Sequence, residues 1–365
     1  MVYTQTEIVA ALQGSGRTWE FRYERLSSAG VSLGDVNMTG VRVTHAALAD
    51  QIKRTVQGVI APATPFDYQS DRLRAHARLR MPDGGWNEWA LGTFLLSTTQ
   101  TARTASMPAD PTPVTGYDLL QVVVEDSVTD RYIVAAATNY KTAIDTVLVG
   151  AGFPTNTVAV TSKTLPAAME WEPGTTKLRI VNDLLSAINF TTLSMDPTGQ
   201  PTAGPYVPPG DAAVLWSYSL DSASLVRPGT VTNLDLFRVP NVIVGYVSQP
   251  DRPPLRSVAV NDDPLSPLST VRRGRSIVES LDQTTLGEVA DQTTLDEKVA
   301  QRLDATSQQY ETIEFSTGVM PQHDDSDVVT FDYGDGPYRY RETGWEMELR
   351  AGGVMKHTAR RVVTV

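Results

Sequence analysis

The residues best suited to catalysis are Glu170 and Glu172, which flank Trp171. Glycosidases act through two carboxylates, and aromatic rings serve as platforms in carbohydrate sites. Residues two apart on a strand lie on the same face, so both glutamates could point at one substrate. This pattern leaves a cell-envelope glycan hydrolase or a carbohydrate-binding adhesin as alternative functions. Because such carboxylate pairs are common on protein surfaces, we predict that the chain has no catalytic residue.

Metal binding would need side chains that the sequence brings close together. The chain has four histidines, all far apart: His45, His76, His323 and His357. None has the i, i+4 spacing that places two ligands on one helix face, so we expect each at the surface or at the edge of a core. The run His323-Asp324-Asp325-Ser326-Asp327 could bind a hard cation, but it lacks the glycine and the spaced glutamate of a calcium loop. The sequence predicts no metal and no cofactor.

Other motifs for catalysis or phosphate binding are also missing from the sequence. It contains no G-x-S-x-G elbow and no phosphate-binding loop. Gly150-Ala151-Gly152 lacks the third glycine of a dinucleotide fingerprint and is typical of a helix end. The run Arg272–Arg275 is too short, in an acidic chain, to indicate nucleic-acid binding.

Composition excludes further classes of protein. The 365 residues carry 31 Lys and Arg against 42 Asp and Glu, a net charge of −11, which disfavours general binding to nucleic acid or anionic membranes. Cysteine is absent from the sequence, so disulfides and thiolate zinc sites are impossible, and assembly in a reducing cytoplasm is expected. The amino terminus lacks the features of a signal peptide, and no run approaches the ~20 apolar residues of a membrane anchor.

The elements that would position any site begin with short alternating segments over 17–98. Their period of two and their Gly, Pro and Asp turns favour an antiparallel sheet that is closed or nearly closed. Asp83-Gly84-Gly85 predicts a hairpin turn. Ala90 to Ser97 is almost wholly apolar, which predicts a strand covered on both faces. We therefore predict a first β-barrel-like domain at 1–112.

A different periodicity follows in the middle of the chain. Residues 99–113 predict an extended segment that leaves the first domain. Apolar residues at helical spacing predict one helix in 139–153, and a second begins after Thr175 or Thr176. A Pro- and Gly-containing hairpin comes next. These features predict an α/β insert domain at 113–225.

Strand patterns return near the carboxyl end. They predict a second β-barrel-like domain at 226–365, interrupted by a helical insertion at about 261–307. The predicted fold class is thus mixed and mainly β, with an α/β insert and a helical insertion.

Several phrases resemble minor tail proteins of tailed bacteriophages that infect Gram-positive, actinobacterial hosts, and in particular the tail-tip or baseplate hub. They occur in order over nearly the whole chain: WEFRYERL, DRLRAHARLRMPDGGWNEWALGTFLLST, VTGYDLLQVVVEDSVTDRYIVAAATNYKTAIDTVL, TTKLRIVNDLLSAINFTTLSMDPTGQP and NDDPLSPLSTVRRGR. The resemblance implies a structural virion protein, assembled in the host cytoplasm, that is not an enzyme. It also implies a homotrimer whose partners are the distal tail tube ring, the tape measure protein and other tail-tip or receptor-binding proteins.

A threefold hub on a sixfold tube predicts an internal duplication. A trimer matches six positions only if each chain offers two similar surfaces about 60° apart. We expect the repeat between residues 1–112 and the composite of 226–260 with 308–365. Each region has a Trp-bearing strand after a tight turn, with Trp86 and Trp89 in one and Trp345 in the other.

Overall fold

The computed structural model describes residues 3–14, 16–62, 65–98, 111–220, 225–234, 237–249, 252–307, 311–324, 327–334 and 336–362. The first part of the chain forms α1 (Gln5–Gln13), β1 (Trp19–Leu26), β2 (Ser32–Asp35), β3 (Met38–Ala46), β4 (Arg54–Ile60), β5 (Arg72–Arg80), β6 (Trp86–Thr98) and β7 (Thr112–Asp118). The middle part forms α2 (Leu120–Glu125), β8 (Tyr132–Val134), α3 (Tyr140–Gly150), β9 (Met169–Trp171), α4 (Lys177–Ala187), β10 (Ser194–Met195) and β11 (Pro201–Thr202).

The last part of the chain forms β12 (Val214–Ser219), β13 (Val231–Leu234), β14 (Val242–Gln249), β15 (Arg252–Val260), α5 (Thr270–Arg273), β16 (Val278–Leu281), α6 (Gln283–Leu286), α7 (Gln292–Ser307), β17 (Glu311–Thr317), β18 (Val328–Asp332), β19 (Pro337–Glu348) and β20 (Met355–Arg361). Strand thus outweighs helix, as the predicted mainly β fold class requires.

One sheet of thirteen strands dominates the molecule. Its order is β13-β17-β20-β19-β3-β4-β7-β6-β5-β1-β2, with β18 also beside β19 and β12 beside β18. We call β1–β7 the N-terminal strand unit, and β12, β13 and β17–β20 the C-terminal strand unit. The two units join where Gly344–Glu348 of β19 pairs with Arg42–Ala46 of β3. Closure of either unit into a barrel stays a prediction.

Five strands repeat between the two units. The order β3-β4-β7-β6-β5 matches β13-β17-β20-β19-β18, with the same succession along the chain. Every neighbouring pair in both sets is antiparallel. The sixth position differs, because β1 is antiparallel to β5 whereas β12 is parallel to β18. The expected repeat of order and direction thus holds for five strands and fails for the sixth.

The boundaries of the strand units differ from the predicted ones. β7 pairs with β4 and β6, so the first unit continues to Asp118 rather than ending at 112. Buried Val114 and Asp118 show that β7 alternates towards the interior like its neighbours. β12, predicted within the insert at 113–225, pairs with β18 of the main sheet. The extended segment predicted at 99–113 lies outside the described residues up to 110.

A separate three-stranded sheet, in the order β15-β14-β16, packs against α6 and α7. Its core includes Ile243, Leu295 and Val299. Strands β14 and β15 were expected in the second β domain, but they belong to this layer, so the interruption begins before 261. The physical reason is local: an added Cβ at Gly245 would lie 2.5 Å from Val299 Cγ2, so only glycine lets α7 approach β14 this closely.

The middle part is an α/β unit with its own core. Both predicted helices are present, and Asn139 and Thr176 cap them by accepting hydrogen bonds from Thr142 N and Arg179 N. The unit covers one face of β6: Leu95 packs on its core and Thr93 Oγ1 donates to Pro197 O at 3.2 Å. Phe94 faces the core of the main sheet. The prediction that Ala90–Ser97 is covered on both faces thus holds over 91–96, whereas Ser97 is exposed.

In the described part of the chain, no helix combines the length and the apolarity needed to cross a membrane.

Candidate functional site

The two carboxylates around Trp171 do not share one site with its ring. Glu170 and Glu172 are both exposed, whereas Trp171 is buried and donates its Nε1–H to Asp183 at 2.9 Å. Glu170 forms an ion pair with Arg131. Glu170 and Trp171 line one cleft of about 670 Å³, but Glu172 is not among its lining residues, so the structure does not bring the two carboxylates together.

All four histidines are buried, which corrects the expectation of surface or core-edge positions. Their exposed fractions are 3% for His45, 7% for His76, 3% for His323 and 1% for His357. His76 illustrates the reason: Arg74 and Arg78 lie two positions away from it along β5, but the adjacent strands place Glu24 at 3.3 Å and Glu88 at 2.9 Å from its ring nitrogens. Only the strand pairing supplies these partners.

The structure brings together two histidines and one glutamate that the sequence separates. Glu342 on β19 lies between His323, in the loop after β17, and His357 on β20. His323 Nδ1 is 2.7 Å from Glu342 Oε2, and His357 Nδ1 is 2.5 Å from Glu342 Oε1. The outer nitrogens contact hydroxyls, Tyr218 at 2.7 Å and Thr317 at 2.9 Å. A five-residue polar network thus crosses the core of the C-terminal strand unit.

The network holds charge in a site shielded from water. Burial alone would raise the pKa of Glu342, but attraction to the two imidazoles and their hydrogen bonds outweigh it and lower this pKa to about 2. Burial alone would lower the pKa of His323, yet the nearby negative charge of Glu342 outweighs it and raises that pKa. Burial lowers the pKa of His357. The fold therefore favours the ionised form of Glu342, the protonated form of His323 and the neutral form of His357.

These three residues could hold a metal by their chemistry. Among the described residues they form the one group of three or more such side chains, with ligand atoms within 4.8 Å of one another. Two imidazoles and a carboxylate would suit zinc. However, each of the four ring nitrogens already has a protein oxygen within hydrogen-bond distance. The hydrogen bonds account for the cluster without an ion, and the absence of a metal stays a prediction.

The acidic run after His323 has structural partners. Asp324 pairs with the buried guanidinium of Arg54. Asp327 accepts from the backbone N–H of Asp324 at 2.6 Å, while Asp325 and Ser326 lie outside the described residues. The Arg272–Arg275 run is likewise tied to the chain, because Arg273 donates to Val239 O at 2.7 Å.

A cleft of about 560 Å³ lies where the main sheet, the α/β unit and the layer of α6 and α7 meet. No Asp or Glu is among its described lining residues, although the chain has a net charge of −11. Five cationic side chains line it: Lys53, Lys298, Arg302, Arg341 and Arg360. We call this feature the cationic cleft. Sequence reasoning missed it because its cations come from distant segments and form no basic run.

Two of these cations lie side by side. Arg341 on β19 and Arg360 on β20 are direct cross-strand partners. Arg341 places its guanidinium over the ring of Tyr206, 5.5 Å from the centroid. Burial lowers the pKa of Arg360. Within the described residues neither arginine forms a direct ion pair; Arg341 contacts Tyr206, whose hydroxyl donates to Asp304 at 2.5 Å.

The other three cationic side chains of the cleft each have a hydrogen bond or an ion pair within the chain. Lys53 Nζ donates to Thr192 Oγ1 at 3.0 Å, and Arg302 pairs with Glu279 at 2.6 Å. Lys298 donates to Leu286 O at 2.7 Å, and burial lowers its pKa to about 8. These side chains form a fixed positive rim around the two arginines.

No protein-family model and no curated protein matches the chain. Solved structures do. The tail protein from Neisseria meningitidis MC58 is 12% identical, with 93% of this chain and 96% of that chain covered and a TM-score of 0.63. The 43 kDa tail protein of prophage MuSo2 from Shewanella oneidensis is 10% identical, covering 94% and 98%, with a TM-score of 0.61. Prophage tail protein gp18 from Listeria monocytogenes EGD-e is 11% identical, covering 93% and 94%, with a TM-score of 0.56. The chain therefore has the fold of phage tail proteins.

Proposed function

We propose that the chain is the structural hub of a bacteriophage tail tip, a homotrimer that adapts the sixfold tail tube to a threefold distal tip. The repeat of five strands in the two strand units is the observation that carries this proposal. A trimer of such chains offers six similar units, and closed rings with repeated interfaces are the usual form of protein assemblies. The likeness to tail proteins over nearly the full length of each chain supports the same role.

In this role the chain resides in the virion and is not an enzyme. Its proposed partners are the distal tail tube ring, the tape measure protein and other tail-tip or receptor-binding proteins. A glycan hydrolase or a carbohydrate-binding adhesin stays the alternative, because Glu170 and Trp171 line one cleft. The actinobacterial host stays a prediction, since the three structures come from other bacteria.

Copy number in purified tails tests the proposal. Quantitative mass spectrometry should find three copies of this chain for every six copies in one ring of tube protein. A ratio of one to one, or one copy per tail, would contradict the adaptor.

A further inference from the structure

We propose that the cationic cleft binds an acidic peptide segment of a partner protein, one that alternates carboxylate and apolar side chains. The inference goes beyond the hub role, because a tube adaptor does not by itself require such a site.

The first argument is the cost of the arginine pair. Like charges directly opposite each other on neighbouring strands destabilise a sheet. Arg341 and Arg360 occupy such positions, and among the described residues neither forms a direct ion pair with a carboxylate. Two adjacent guanidinium groups suit an anion that accepts paired hydrogen bonds, as a carboxylate does. A bound acidic side chain would therefore supply the charge that the cleft lacks.

The second argument is the composition of the walls. Beside its cations, the cleft is lined by the exposed Leu48 and the half-buried Phe190. A simple inorganic anion would leave these apolar surfaces in water, whereas an extended peptide with alternating side chains can cover them and reach the arginines. A volume of about 560 Å³ suits a few residues of chain and is too small for a nucleic-acid duplex.

Fluorescence anisotropy tests the site with a labelled peptide of alternating Glu and Leu, using the full chain. We expect saturable binding that weakens as salt rises, and no binding of a peptide of alternating Gln and Leu. The variant R341Q/R360Q should bind the acidic peptide about a hundredfold more weakly or worse, since it removes two charged hydrogen-bond donors. Its melting temperature should be unchanged or higher, because the variant removes a repulsion.

The control variant is R131Q/R179Q, which makes the same change in charge at two exposed arginines of the α/β unit. It should bind as the unmodified chain does. Equal binding by the cleft variant and the control would overturn the proposal, as would equal binding of the two peptides, a comparison that needs no variant. Displacement of the acidic peptide by inorganic phosphate at lower concentration than by acetate would assign the cleft to phosphate and overturn it too.

Discussion

Glu342 is the residue on which the core of the C-terminal strand unit depends most. Its side chain is 2% exposed and both of its oxygens contact imidazoles whose side chains are fully buried. A buried charge is tolerable only while it is paired, because its desolvation costs several kcal/mol. The network therefore joins β19 and β20 to the loop after β17. Removal of any one partner would leave another buried group of the network unpaired.

The first prediction concerns this carboxylate. Glu342→Gln keeps the shape but removes the charge, leaving the protonated His323 without its counterion. We expect the free energy of unfolding to fall by about 3–5 kcal/mol, measured by urea denaturation. The matched control is Glu346→Gln on the same strand, where partly exposed ion pairs with Arg42 and Lys356 are worth about 0–1 kcal/mol. Equal losses in the two variants would show that the network does not stabilise the core.

The second prediction concerns pH. Burial, together with the positive charge of Arg54, lowers the pKa of His45 to about 3. The unfolded chain therefore binds a proton at this residue near pH 6.5, before the folded chain does. Its contribution to stability is fully present above pH 6.5 and is lost as the pH falls towards 3.

His45→Phe should flatten this pH dependence, because the ring that meets the edge of Trp345 remains while the titration is removed. Urea denaturation at a series of pH values between 6.5 and 3 measures the slope. His323, whose raised pKa acts in the opposite direction, is present in both proteins and cancels in the comparison. An identical slope in the variant would rule out the assigned role of His45.

Residue roles were the part least accessible from the sequence. The burial of His76 and the meeting of His323 with His357 depend on strand pairing between distant segments, which no local pattern encodes. Arg341 and Arg360 could not be paired for the same reason. The absence of a catalytic pair at Glu170 and Glu172 stays a prediction.

At the scale of elements, local signals predicted well where they were strong. Helices α3 and α4 were predicted from apolar spacing and capping residues. Helix α1 was missed, although Thr4 and Glu7 form a capping box that is visible in the sequence. Strands β14 and β15 were recognised as strands but assigned to the wrong sheet, since alternation shows that a face is buried without showing what buries it.

The third prediction tests the close contact of β14 with α7. Gly245→Ala should force Val299 and Leu295 aside and cost about 1–3 kcal/mol of stability, because the added Cβ overpacks the interface. Hydrogen exchange should rise in α7 and stay unchanged in α3 and α4. The control Gly210→Ala adds the same atom where no other atom lies within 4 Å. Equal hydrogen exchange of α7 in the two variants would show that Gly245 is not required for α7 to pack on β14.

At the scale of the whole molecule, the two strand units define how copies should meet. The edge of β3 pairs with the end of β19 inside the chain. By the five-strand repeat, β13 corresponds to β3, and β6 corresponds to β19. Within the described residues the outer edge of β13 has no neighbouring strand. In a ring of six similar units, this edge should meet the end of β6 in the next copy.

The fourth prediction uses the absence of native cysteine. Cysteines introduced at Thr232 of β13 and Ser97 of β6, both exposed, should be joined between chains by a short bismaleimide crosslinker in assembled tails. Denaturing electrophoresis should then show covalent trimers. Cysteines at Ser97 and at the exposed Val160 of the α/β unit serve as the control pair and should give no such ladder. Equal crosslinking by the two pairs would refute the proposed contact.

The sequence predicted a repeat between the two strand units, but only some of the strands in it were assigned correctly. The turn before Trp86 and the turn before β19 marked equivalent hairpins, which the structure places at equivalent positions in the two units. The sixth strand and the strands of 242–260 were misjudged, because strand direction and sheet membership depend on long-range pairing.

The most direct test of the account is a cryo-electron microscopy map of the tail tip that contains this chain. We predict three copies around the tail axis, with the N-terminal and C-terminal strand units of each copy alternating around the ring and related by a rotation of about 60°. A single copy, six equivalent copies, or strand units that lie at different heights along the axis without this rotation would contradict the adaptor.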